Sequence, residues 1–521
     1  MEGERLNELC DAEPSSPTTE SSRPPLLLAL MLTAMAGGMG WGIRGQYGHE
    51  TGAMVPGLLV GLTLVFLFCP HATSLQAARA VAMTAVAFGF GGSMTYGQTL
   101  GLTHNPAVVG NADAYWWGIL GVFIKGGVWI GLAGAFLGMG LSGKRYRALE
   151  MLIIMIGVIV LMFIGIRWLN RPFDITAQRL PSIYFSADWY WEPNNPKVDP
   201  RPECWGGLLC ALLGLVAYTG LFKGDRLARN MAFSGFLAGG CGFAIGQSIQ
   251  AHNAWNPGWL EGTQFAGIPI NWWNMMETTF GLVLGFGLAL GLWLNHRLIA
   301  RNDKDVPATI PAPIEWLMIT VHAMALALIT FDIFVGFENA VLRVWDEDTY
   351  RRFSRIADTG VHLGLIPLIG IVGGRYWPYM LPLPLLALPI VGKTVFNASY
   401  KGDQLSEPAG WAWLFVLPLL LTFVTAMFYA VRSRFSPPGR SFTRPMLLLA
   451  VWLYLSLNFV VFNFPWPWAE TTNRTPNSNI FAVCAWTLTT AALAYDTSRR
   501  ARPRPNDSAF EVITTGPSHD R

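Results

Sequence analysis

Apolar runs long enough to cross a bilayer alternate with short polar clusters along nearly the whole chain. A hydrocarbon core of ~30 Å takes about 20 helical residues. Runs of that kind fall at 25–44, 52–69, 77–98, 115–141, 149–169, 204–222, 230–250, 272–295, 314–336, 358–374, 377–396, 410–431, 445–464 and 479–496. A helix at the surface of a soluble core must keep one polar face for water, and these runs keep none. The pattern predicts an all-α polytopic membrane protein of about fourteen transmembrane helices. The prolines from Pro378 to Pro389 predict a kinked span, which neighbouring helices can tolerate in lipid.

The remaining segments divide the chain. Residues 1–24 are polar and rich in Pro, Ser and Glu, which predicts a disordered N-terminus. A transmembrane bundle is expected over 25–299, a linker over 300–313, a second bundle over 314–497 and a disordered basic tail over 498–521. The run from Leu26 has no basic stretch before it, so it is expected to be a retained first span. Lys and Arg gather in alternate loops: Lys144, Arg145 and Arg147; Lys223, Arg226 and Arg229; Arg432 to Arg444; and Arg499 to Arg504. Basic residues beside spans mark the cytoplasmic side, which puts both termini in the cytoplasm. The expected location is the inner membrane of a bacterium. The opposite loops are longer and aromatic, Ser186 to Glu192 most of all, and are expected to be ordered over the membrane.

Composition agrees with the pattern. The chain is 52% apolar and 13% charged, about half the charged share of a soluble domain. The six cysteines form no CxxC pair and read as small buried hydrophobes. The net charge of +3, with no basic-aromatic patch, gives no indication of a nucleic-acid partner.

Self-similarity sharpens the picture. Gly37-Gly38 is followed by Gly45-Gln46 and His49; Gly91-Gly92 by Gly97-Gln98 and His104-Asn105; Gly239-Gly240 by Gly246-Gln247 and His252-Asn253. Trp116-Trp117 and Trp272-Trp273 follow the second and third copies. The glutamines are 52 and then 149 residues apart, close to one and three steps of a helix hairpin of about fifty residues. This predicts helix-hairpin repeats in one orientation, with the motifs at the extracytoplasmic ends of spans one, three and seven. Paired glycines allow close packing or an unwound turn, and Gln and His supply hydrogen-bonding groups. The bland alternative is that the glycines pack and the polar residues cap helices.

A charge within a span costs about 3 kcal/mol or more, so each one is a candidate for function. Lys125 and Glu277 lie in matching hairpins, and both are expected to face the interior, near enough to interact. Arg44 leads the densest polar cluster, with Gln46, Tyr47, His49 and Glu50. Its guanidinium can grip a carboxylate or phosphate, or pair with Glu50 or another acid as a structural ion pair. The candidate binding set is Arg44, Gln46, Tyr47, Gln98, His104, Asn105, Lys125, Gln247, His252, Asn253 and Glu277, with Glu277 and Asp332 as proton-coupling candidates. No Walker A, HExxH or GxSxG motif occurs, and no metal or other cofactor is expected.

Two functions compete. The span number and parallel repeats point to a secondary transporter in the bilayer for a polar solute, an anion among the candidates. The one-sided polar groups point to a membrane transferase or hydrolase acting on a lipid-linked or sugar substrate at the outer leaflet, with His49, Glu50, Asp188 or Glu338 as acid or base. A structural subunit is the third reading. A polar cavity running past the midplane favours transport, whereas a bowl sealed below by apolar residues favours an enzyme.

Overall fold

The computed structural model describes residues 23–44, 50–70, 72–186, 191, 200–300, 308–335, 346, 348–349, 364–375, 399, 405–434, 443–460 and 472–500. Among them the chain is all-helical, with one isolated bridge between Asp174 and Arg179. The helices are α1 (Leu26–Arg44), α2 (Glu50–Phe68), α3 (Ser74–Gly91), α4 (Gly97–His104), α5 (Ala112–Leu141), α6 (Ala148–Leu169), α7 (Trp205–Ala217), α8 (Arg226–Trp255) and α9 (Trp272–Leu294). They are followed by α10 (Ala312–Val335), α11 (Leu365–Val372), α12 (Leu417–Arg434), α13 (Thr443–Val460) and α14 (Thr475–Arg500). Eight helical stretches among the described residues are long and apolar enough to cross a membrane. The protein is an integral, multi-pass helical membrane protein.

Six helices close a ring in the order α1, α2, α3, α5, α8, α9 and back to α1. Small residues set its crossings. A Cβ on Gly37 would overlap the carbonyl oxygen of Gly281, and one on Gly281 would overlap that of Gly37, so α1 and α9 touch backbone to backbone. Gly239 of α8 and Gly126 of α5 meet in the same reciprocal way. On α2, a Cβ at Gly57 would lie 2.9 Å from Phe88 Cβ and 3.0 Å from Ala85 Cα of α3. In lipid, helices gain little from burying apolar surface against one another, so this close approach supplies much of the attraction.

Aromatic side chains fill the ring. Trp41 of α1 reaches across to Trp129 of α5, with centroids 5.0 Å apart, and touches Phe280 of α9 at 4.4 Å. Phe243 of α8 stacks on Phe280 at 4.6 Å, and Trp129 Nε1 donates to the Phe88 carbonyl at 2.8 Å. Outside the ring, α6 and α7 pack together, α13 lies on α2 and α14 on α1. The span window of α5 is 78% buried and that of α6 only 28%, which separates an interior helix from one that faces lipid.

Two helix ends differ from the hydropathy pattern. The third span, expected to reach residue 98, stops at Gly91, and the chain restarts as α4. Trp129 occupies the space a side chain at position 91 would need, and the Gly92 N–H closes the last turn on Phe88 and Gly89. The seventh span, expected to stop at residue 250, stays helical to Trp255 because Gln, His and Asn there are tolerated in a turn beyond the apolar stretch.

Candidate functional site

Arg44 is the last residue of α1 and is fully buried. Its guanidinium lies over the Trp41 ring, 4.9 Å from the centroid, so the preceding turn supports it by a cation–π contact. Nη2 donates to Glu277 Oε1 at 2.9 Å and also to the Tyr96 hydroxyl. Glu277 sits in the second turn of α9, whose entry is fixed by Asn271 capping Asn274 N at 3.0 Å. Asn274 Nδ2 donates to the Gly42 carbonyl at 2.8 Å and fastens α9 to the end of α1. The backbone crossing at Gly37 and Gly281 thus delivers the cation and the acid to one place. Tyr96 comes from the α3–α4 break. Three hairpins each contribute one group.

A second group adjoins it. Tyr96 directly precedes α4, and His104 ends that helix. Gln247 of α8 is buried and its Nε2 donates to Thr103 Oγ1 at 2.5 Å. The Leu100 carbonyl accepts from Thr103 Oγ1 and lies 2.8 Å from His104 Nδ1, which places the imidazole proton on Nδ1. The His104 ring meets Trp273, and Trp273 lies against the Glu277 carboxylate. Burial pushes His104 below its ordinary value, and the hydrogen bond to Leu100 partly opposes this. Gln98, on the same short helix, and Asn105, directly after its end, are half-buried.

Lys125 is buried, but in a separate knot. Its ammonium lies 2.6 Å from Glu203 Oε1, 2.7 Å from Thr99 Oγ1, 2.8 Å from the Thr95 carbonyl and 3.3 Å from Ser186 Oγ. An ammonium has three donors, so these acceptors use all of them. Glu203 also accepts from Phe185 N at 3.0 Å and Ser186 Oγ at 2.8 Å. Lys125 therefore ties the segment between α6 and α7 down onto α5. Lys125 and Glu277 were expected to be neighbours, and each is satisfied by a different partner: the crossing that sets Glu277 opposite α1 leaves Lys125 facing Glu203.

His252 and Asn253 lie past Gln247, on the exposed end of α8. There they hold Trp259 of the following loop, by a ring contact at 5.0 Å and a hydrogen bond at 3.2 Å. Gln46, Tyr47, His49, Asp188 and Glu338 lie outside the described residues, as do the side chains of Glu50 and Asp332. Two residues of the site were not singled out from sequence. Tyr96 stands inside the second copy of the motif, directly before Gly97-Gln98, and that position could have flagged it. Glu203 is an acid at the very edge of an apolar run, a place where an ion-pair partner for Lys125 could have been sought.

Among the described residues no group of three or more His, Cys, Asp or Glu side chains is placed to hold a metal. No protein-family model matches the chain, and no curated protein or solved structure shows significant similarity to it.

Proposed function

We propose that the protein is a proton-coupled secondary transporter of a small polar anion, with Arg44 as the anion-binding group and Glu277 as the proton carrier. The observation that carries this reading is the buried Arg44–Glu277 pair, with Tyr96, at the closed end of the aromatic-filled ring. Ionisable groups this deep in a membrane bundle mark ion or substrate paths more often than they add stability.

The chemistry is an exchange of partners. A carboxylate or phosphate oxygen arriving at Arg44 takes the place of Glu277 Oε1 and accepts from the Tyr96 hydroxyl. Glu277, left without its cation and held only by Trp273 and Asn274, takes up a proton from the same side. One negative charge has entered with one proton, so the charge of the site is unchanged. The loaded bundle can then rearrange at Trp41, Trp129, Phe243 and Phe280 and release both the anion and the proton on the other side as Glu277 rejoins Arg44. His104 and Gln247, joined to Glu277 through Trp273, line the proton's approach in this reading.

Two further expectations belong to it. The three motif-bearing hairpins, α1/α2, α3/α5 and α8/α9, contribute all six ring helices. Each first helix crosses the return helix of a different hairpin: α1 on α9, α8 on α5 and α3 on α2. That cyclic order supports duplication of a hairpin. Fourteen spans with both termini cytoplasmic would put the Arg44 end at the extracytoplasmic face, opposite the Lys and Arg clusters. The aromatic floor beneath Arg44 also favours a second reading, a membrane enzyme open to that face alone.

Mass spectrometry of small molecules that co-purify with the protein tests the reading. The wild type should retain a small anion that Arg44→Ala and Gln247→Ala release. Retention unchanged in both variants would remove these residues from the site, and retention of a lipid-linked sugar instead would favour the enzyme.

A further inference from the structure

At the far end of the bundle from Arg44, the loops carry Lys144, Arg145, Arg147, Lys223, Arg226 and Arg229 against the acids Glu150 and Asp225. Both acids are already engaged. Asp225 accepts from Ser142 Oγ and Tyr146 Oη at 2.7 Å each and caps Ala228 N at 2.9 Å, so the two basic loops are cross-linked into one rigid edge. Burial and the facing Asp225 carboxylate push the Tyr146 phenol up, which keeps it a donor. Glu150 is held by Tyr218 Oη and Lys223 Nζ at 2.6 Å each. Arg145 and Arg147 are exposed and form no ion pair among the described residues.

Between these loops lies a groove of about 560 Å³. Its rim is Arg145, Arg147 and Lys223, and its wall is Leu149, Ile153, Tyr218 and Glu150, whose carboxylate is taken up by Tyr218 and Lys223. The groove has a structural cause. Towards the Arg44 end, Gly165 of α6 and Gly206 and Gly207 of α7 bring these two helices into backbone contact. At the basic end α7 widens into a π-turn, Tyr218–Phe222, and bulky Tyr218 bridges to Glu150 instead. Such π-turns occur often at functional positions. The apolar wall then continues. Leu149, Ile153, Ile156, Val160 and Phe163 are all exposed and fall at helical spacing along one face of α6.

We propose that this groove binds an anionic phospholipid. The phosphodiester sits between Arg145, Arg147 and Lys223, and an acyl chain follows the exposed face of α6. Guanidinium groups recognise phosphate bidentately, and basic pockets between transmembrane helices suit anionic headgroups. The apolar track leading straight from the phosphate position selects a lipid over free phosphate.

The test uses the full-length protein, delipidated in neutral detergent and titrated with phosphatidylglycerol, phosphatidylcholine or glycerol 3-phosphate, with bound ligand read by native mass spectrometry. Phosphatidylglycerol should bind at least about tenfold more tightly than phosphatidylcholine, and glycerol 3-phosphate should not bind in the same range. The double variant Arg145→Ala/Arg147→Ala should weaken phosphatidylglycerol about thirtyfold, roughly fivefold per arginine, without lowering the melting temperature. Glu150→Gln frees Lys223 and should leave binding equal or tighter. Equal binding of the two lipids, or an unaffected double variant, would overturn the proposal. Glycerol 3-phosphate binding as tightly as the lipid would assign the groove to a soluble phosphate instead.

Discussion

The guanidinium of Arg44, at the last turn of α1, donates to the carboxylate of Glu277 in the second turn of α9 at 2.9 Å, and both side chains are buried. The two residues are 233 positions apart, and what joins them is the glycine crossing of their helices. Removing one partner leaves the other charged and uncompensated, which costs about 3–5 kcal/mol in a buried pair. Arg44→Leu and Glu277→Leu should each destabilise by that order. The double variant should recover most of the loss, because a dry apolar pair can replace a buried ionic one. Chemical denaturation in detergent measures all three. A double variant as unstable as the sum of the singles would show that the two residues do not act as a pair.

Lys125 has a different job from Arg44. Lys125→Met should expose the Glu203 carboxylate to an apolar pocket, cost about 3–5 kcal/mol and loosen the segment that carries Phe185 and Ser186. Amide exchange should rise in residues 171–186 while the Arg44 region keeps its protection. Protection unchanged in 171–186 would remove the anchoring role.

The glycine crossings make a graded prediction. Gly37→Ala pushes a methyl group into the carbonyl oxygen of Gly281 and should cost about 1–3 kcal/mol or more by forcing α1 from α9. Gly157→Ala on α6 meets nothing within 4 Å and should be neutral, or stabilising by up to about 1 kcal/mol from helix propensity. Thermal melts of the two variants give the comparison. Equal effects would mean that the contact at Gly37 is not limiting.

His104 gives the pH dependence. Burial holds its folded value below the ordinary histidine value. As pH falls through the unfolded value near 6.5, the unfolded chain gains a proton that the folded one resists. Stability is therefore fully present above that pH and is lost as pH drops towards the folded value. His104→Asn keeps a donor to the Leu100 carbonyl and cannot titrate. The melting temperature of the wild type should drop further between pH 7.5 and pH 5 than that of the variant. Identical slopes would contradict the assignment.

The sequence was most legible where a helix is apolar throughout. The spans expected at 149–169 and 272–295 correspond to Ala148–Leu169 and Trp272–Leu294. It was least legible where tertiary contacts decide. Hydropathy carries α3 on to residue 98, but the indole of Trp129 lies against Gly91 and the helix ends there. Arg44 was legible as a special cation, and its nearest acid in sequence was Glu50. The acid it meets is Glu277, a choice made by the α1–α9 crossing and invisible to local spacing. Lys125 was legible as a buried charge, but its partner came from the segment leading into α7. The paired glycines were the most informative local feature, because a missing Cβ is a statement about which backbones approach.

The central claim is that Arg44 and Glu277 couple the entry of an anion to the entry of a proton. The direct measurement is anion-driven proton entry into proteoliposomes loaded with a pH-sensitive dye and challenged with inorganic phosphate and small carboxylates. The account predicts acidification with at least one anion by the wild type, none by Arg44→Ala, and anion exchange without acidification by Glu277→Gln. Acidification by Glu277→Gln equal to that of the wild type, or no anion flux at all through folded wild-type protein, would contradict it.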